Sequence, residues 1–111
     1  MLSATDNAYL NTSEPNTPMG NYLRCHWHPV ALSEEVANPD CAPIRLKVMG
    51  EDLLLFRDSK GNTGLIEPFC AHRGADLFFG RNEECGIRCI YHGWKYDIHG
   101  NCIDMPNVPK D

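Results

Sequence analysis

At 111 residues the chain has room for one domain with a modest hydrophobic core. Apolar residues make up 42%, charged residues 23%, and the net charge is -5, which leaves no basic stripe for nucleic-acid phosphates or an anionic membrane. No stretch approaches ~18 consecutive apolar residues, so a membrane-spanning helix is excluded, and Met1–Leu10 lacks the basic and apolar parts of a secretory signal, so the expected location is the cytoplasm.

Residues 1–20 are rich in Asn, Thr, Ser and Pro without sustained periodicity, and read as a leader that is disordered or packs on a neighbour. The domain proper is expected over residues 21–111. Tyr22–Trp27 reads as a strand closed by Pro29, and Ala31–Val36 as one helical turn. Ile44–Val48 alternates apolar and basic residues, the period of a strand with one buried face. Met49–Asp52 reverses the chain, Leu53–Phe56 forms a buried strand, Asp58–Asn62 carries turn chemistry, and Leu65–Ile66 begins a return strand. Residues 44–67 are thus a three-stranded meander. Short strands follow at Ile87–Ile90, Lys95–Ile98 and Asn101–Ile103, with a turn at His99–Gly100, and Pro106–Asp111 reads as a linker. The expected class is mostly β, in small antiparallel sheets.

Six cysteines stand at 25, 41, 70, 85, 89 and 102. Three disulfides would suit an exported chain, whereas reduced thiols are free to bind metal. The histidines discriminate. Cys70-Ala71-His72-Arg73-Gly74 and Cys89-Ile90-Tyr91-His92-Gly93 each offer one thiolate, one imidazole and a following glycine. A Rieske-type 2Fe-2S cluster needs two cysteines on one iron and two histidines on the other, hence one of each from two facing loops. Cys70, His72, Cys89 and His92 are therefore the candidate cofactor-binding and metal-ligating residues. With two thiolates the oxidised centre is neutral, and it accepts an electron more readily than a four-cysteine centre; Rieske potentials run from roughly -150 to +300 mV. A Cys₂His₂ zinc site in a binding module is the competing reading. Zinc pairs commonly leave about two to four residues between partners, and the Cys70–His72 arm leaves fewer. Cys25, Cys41, Cys85 and Cys102 read as small apolar residues, and Glu83-Glu84 as a solvated loop tip. Trp94 and Tyr96 are expected to pack beneath the second loop, and Arg73 to sit at the surface or steady nearby negative charge.

Phe69-Cys70-Ala71-His72-Arg73-Gly74-Ala75, with Arg88-Cys89-Ile90-Tyr91-His92-Gly93-Trp94-Lys95-Tyr96-Asp97, resembles the Rieske domain of ring-hydroxylating oxygenase α subunits of the phthalate-dioxygenase type. Thr17-Pro18-Met19-Gly20, Trp27-His28-Pro29-Val30-Ala31, Gly50-Glu51-Asp52-Leu53 and Asp104-Met105-Pro106 extend the likeness over most of the chain. The resemblance implies three small antiparallel sheets with two cluster loops at one tip. It also implies a reductase or ferredoxin as electron donor, and a catalytic domain, of a neighbouring subunit, as electron acceptor. Respiratory and photosynthetic Rieske proteins carry an extra cysteine in each loop, joined as a disulfide, and a serine after the second His-Gly. Ala75, Tyr91 and Trp94 occupy those positions here. Fewer donors to the cluster place the expected potential in the lower half of the Rieske range.

In that family, oxygen chemistry belongs to a mononuclear iron held by two histidines and a carboxylate. Only His26, His28 and His99 remain for such a role, and no suitably spaced carboxylate completes a triad, so they read as packing or surface residues. The chain is expected to transfer single electrons as the electron-accepting domain of an oxygenase without catalysing hydroxylation itself. A stand-alone Rieske-type ferredoxin is the alternative.

Overall fold

The computed structural model describes residues 1–109; the last two residues of the expected linker lie outside the described residues. The chain divides into two compact units, one of Met1–Val30 with Lys47–Glu51, the other of Ala31–Leu46 with the chain from Asp52 onward.

The first unit differs from the reading of its sequence. It contains helix α1 (Ala4–Asn11) and helix α2 (Pro18–Leu23), and no strand forms over Tyr22–Trp27. Both helices are specified by their caps. The Ser3 hydroxyl accepts the Asp6 N–H at 3.1 Å, and the Thr17 hydroxyl accepts that of Gly20 at 3.1 Å, with Pro18 in the first helical turn. Such caps leave no trace in hydrophobic periodicity, and α1 buries no residue. After α2 the N–H groups of Arg24, Cys25 and His26 turn back to the carbonyls of Gly20, Tyr22 and Leu23, so none remains for a strand ladder. Arg24 also reaches Glu51 at 2.7 Å and the Met49 carbonyl at 3.0 Å, tying α2 to the turn at Met49–Gly50.

In the second unit a 3₁₀ turn covers Ser33–Val36, where one helical turn is expected. The meander forms as read: β1 (Ile44–Val48), β2 (Glu51–Arg57) and β3 (Thr63–Ile66) lie in the order β1-β2-β3. Leu54 pairs with Ile66 and Phe56 with Gly64. A second sheet takes the order β4-β5-β6-β7, from β4 (Arg81–Glu83), β5 (Gly86–Arg88), β6 (Lys95–Tyr96) and β7 (Cys102–Asp104). Strand β4 was not legible, because Arg81-Asn82-Glu83 has no apolar alternation. Strand β5 stops at Arg88, short of the expected Ile90, because the Cys89 N–H closes a loop onto the Trp94 carbonyl at 2.8 Å. Among the described residues two sheets and an isolated Phe69–Asp76 bridge thus stand where the resemblance implies three sheets.

The β2–β3 and β6–β7 turns share one design. Asp58-Ser59-Lys60-Gly61-Asn62 and Asp97-Ile98-His99-Gly100-Asn101 both follow Asp-x-x-Gly-Asn, a short repeat visible only once the two turns are compared. In each, the aspartate accepts the N–H of the residue two on and both the backbone and side-chain N–H groups of the asparagine. The core between the sheets consists of Leu54, Phe56, Ile66, Cys70, Leu77, Ile87, Cys89 and Tyr96. Each large apolar side chain buried there contributes about 1.5–3 kcal/mol.

Candidate metal centre

Loop 1 (residues 68–75) joins β3 to a 3₁₀ turn at Leu77–Phe79, and loop 2 (residues 89–94) joins β5 to β6. They are built alike. In loop 1 the Cys70 N–H bonds the Ala75 carbonyl at 2.8 Å and the Gly74 N–H bonds the Cys70 carbonyl at 2.8 Å. In loop 2 the Cys89 N–H bonds the Trp94 carbonyl at 2.8 Å and the Gly93 N–H bonds the Cys89 carbonyl at 3.1 Å. Gly74 and Gly93 sit at φ 68° and 78°, where a side chain is strained. That is the physical reason for a glycine after each histidine.

Further bonds seat each loop on its sheet. The Leu77 N–H reaches the Pro68 carbonyl at 2.7 Å, and Asp76 accepts the Phe78 N–H at 2.9 Å. Arg45 pairs with Asp76 and lies over the Phe78 ring, 3.9 Å from its centroid. Beneath loop 2, Arg88 donates to the Gly93 carbonyl at 2.8 Å, to Asp104 at 2.9 Å and to Glu83 at 3.0 Å.

All four candidate ligands come together, paired by kind. Cys70 and Cys89 are buried, 3% and 2% exposed, and Cys89 is one of the groups that ease ionisation of the Cys70 thiol. The rings of His72 and His92, both half-buried, lie edge to face with centroids 4.5 Å apart. Burial pushes the Cys70 thiol up, but donation from the Tyr96 hydroxyl, the His72 and Arg73 N–H groups and the Cys89 thiol outweighs it, so thiolate forms more readily than in water. The His72 imidazole is held below its ordinary pKa by burial first and then by the charges of His92 and Arg73, which keeps it neutral and able to ligate.

The fit to a metal centre rests on one orphaned atom. His72 Nδ1 is buried and has no hydrogen-bond partner. A buried lone pair without a donor costs about 1–3 kcal/mol, which a metal ion offsets. Among the described residues no three His, Cys, Asp or Glu side chains are placed to hold a single ion. Two sulfurs together and two imidazoles together suit two metals with two protein ligands each, and suit a tetrahedral zinc ion poorly.

Other residues fall as follows. Cys85 lies in the β4–β5 turn, where its N–H bonds Ser59. His28 contacts the Leu23 carbonyl at 2.7 Å and His26 lies edge-on to Tyr22, both by local packing. Glu83 and Glu84 are more than a solvated tip, since they pair with Arg81, Arg88 and Lys95. Trp94 stacks on His72, centroids 4.7 Å apart and planes 6° from parallel. Arg88 has no role in the sequence reading beyond its place in the motif, because an arginine next to a candidate ligand reads as surface charge until Gly93, Asp104, Glu83 and Glu84 are located around it.

The family model for the Rieske [2Fe-2S] domain matches residues 26–110. The phthalate 4,5-dioxygenase oxygenase subunit of Pseudomonas putida is 47% identical over 109 residues, covering 98% of this chain and 25% of that protein. The tert-butanol monooxygenase / tert-amyl alcohol desaturase oxygenase subunit of Aquincola tertiaricarbonis is 44% identical over 108 residues, covering 97% and 22%. A solved structure of dicamba monooxygenase with non-heme iron and dicamba is similar at a TM-score of 0.67 and 29% identity, over 75% of this chain and 24% of that one. The chain therefore spans about a quarter of the length of the curated relatives it matches. With two cysteine–histidine loops whose histidines meet, and relatives at this identity across nearly its whole length, the chain belongs to the Rieske [2Fe-2S] domain family in the form carried by ring-hydroxylating oxygenase α subunits, and its cofactor is a 2Fe-2S cluster.

Proposed function

We propose that Cys70 and Cys89 hold one iron of the cluster, that His72 and His92 hold the other, and that the chain is the electron-accepting domain of a ring-hydroxylating oxygenase, residues 1–20 extending a Rieske domain of residues 21–111. The observation that carries the ligand reading is the buried, unpartnered Nδ1 of His72, in a ring that meets His92 while the cysteine of each loop is buried in the core. When bound, the cluster supplies a one-electron redox couple.

The chain's own residues prepare that couple. Tyr96 and the loop N–H groups lower the cost of negative charge at the Cys70 sulfur, and the buried cysteines keep the sulfur side from water. The two imidazoles are less buried than the sulfurs and form the side on which a partner can approach. A reductase or ferredoxin supplies the electrons, and a mononuclear iron site in a neighbouring subunit's catalytic domain receives them. The lengths of the relatives support this over a stand-alone ferredoxin. Relatives named for phthalate and for tert-butanol match this domain about equally, at 47% and 44% identity, so substrate choice belongs to the remainder of such a protein.

The test is metal analysis with EPR on the purified chain. About two irons and two acid-labile sulfides per chain, with a Rieske-type signal on reduction, are expected. Cys89→Ser and His92→Ala each remove the signal. Stoichiometric zinc in a colourless, EPR-silent chain overturns the reading.

A further inference from the structure

The two candidate histidines differ in what holds them. A metal-bound histidine is ordinarily oriented by a carboxylate or carbonyl on its second nitrogen. Among the described residues, neither ring nitrogen of His72 has a hydrogen-bond partner, the buried Nδ1 included. Two rings make its aromatic contacts: His92, edge-on, and Trp94, face-on at 4.7 Å with planes 6° apart.

Trp94 belongs to the other loop and is itself well seated. Its carbonyl closes loop 2 by accepting the Cys89 N–H at 2.8 Å, and its side chain packs against the core cluster that includes Cys70 and Cys89. Rotation of an imidazole about its terminal torsion is soft, so without a hydrogen bond a flat neighbour must set the ring plane. A parallel indole face does this, and it does so across the two loops. The same contact leaves the outer nitrogen of His72 uncommitted within the chain.

We propose that Trp94 is the positioning residue for His72, setting the imidazole plane by stacking where other metal sites use a hydrogen bond. This rests on the ligand reading given above. A bulky side chain serving only to fill the core beneath loop 2 would stabilise the fold without controlling the ring.

Pulsed EPR of the reduced, cluster-loaded chain separates the two, because it reads the nitrogen couplings of the histidines directly. Trp94→Leu should change the coupling of one of the two histidines and shift the g values. It should also hasten loss of the cluster's visible absorbance by roughly two- to tenfold, the effect of one aromatic pair. Trp94→Phe, which keeps a flat face, should restore most of both. If the leucine variant fails to fold, Trp94→Met removes the planar face with a longer, unbranched side chain that adapts to the space and is read the same way. Couplings and g values that stay at the parent's, alongside a lowered Tm, overturn the proposal alone. A parent chain without histidine couplings overturns the ligand reading and this proposal together.

Discussion

The hydroxyl of Tyr96 lies 3.2 Å from the sulfur of Cys70 while accepting the Ala71 N–H at 3.0 Å. Because its oxygen is engaged by that N–H, its own proton is free to point at sulfur. Burial first, and then the Cys70 sulfur, push the phenol's pKa up, so it remains a donor. A donor to sulfur favours the more negative, reduced state.

Tyr96→Phe should therefore lower the reduction potential. A net hydrogen bond of ~1 kcal/mol corresponds to about 40 mV for one electron. The parent potential should itself fall in the lower half of the span from roughly -150 to +300 mV. Redox titration followed by EPR measures both, and an unchanged or raised value in the phenylalanine variant removes Tyr96 from the tuning of the site.

Arg88 braces loop 2 through the Gly93 carbonyl, Asp104 and Glu83, with its own side chain 14% exposed. Arg88→Met should cost about 1–3 kcal/mol, since it strips the cation from three carboxylates and a donor from the loop. Arg88→Lys should recover less than half, because a point charge cannot span three acceptors in different directions. Chemical denaturation measures the stability, and iron content per chain shows whether the loop still retains the cluster. Full recovery by lysine would mean that only charge matters there.

Acid should weaken the two Asp-x-x-Gly-Asn turns. Burial pushes the Asp58 and Asp97 carboxyls up, but the N–H groups that each accepts outweigh it, so both pKa values lie below the ordinary 3.8. The unfolded chain then takes up these protons first as pH falls. The stability they contribute is full well above pH 3.8 and is lost as pH drops through the folded-state values. Asp58→Ala should cost about 1–3 kcal/mol at pH 7, with the gap from the parent closing toward pH ~3. Denaturation at a series of pH values measures that gap; one that widens in acid would reverse the assigned sign.

Much of this molecule was legible in sequence because the relevant signals are local. Two Cys-His-Gly loops, the alternation at Ile44–Val48 and the apolar run at Leu53–Phe56 each lie within a few residues, and all correspond to features of the structure. Helix α1 escaped because a helix specified by its cap and burying nothing leaves no apolar stripe. Strand β4 escaped because its three residues are polar and its partner lies across a turn.

That Cys70, His72, Cys89 and His92 are the candidate ligands was legible in the sequence alone, since residue type and spacing already name the chemistry. What surrounds them was decided only by tertiary structure. Tyr96 on Cys70, Trp94 on His72 and Arg88 beneath Gly93 are contacts between separate loops and strands. The first joins residues 26 apart along the chain. Such contacts follow from where the two sheets set their loops, and no spacing along the chain encodes that distance.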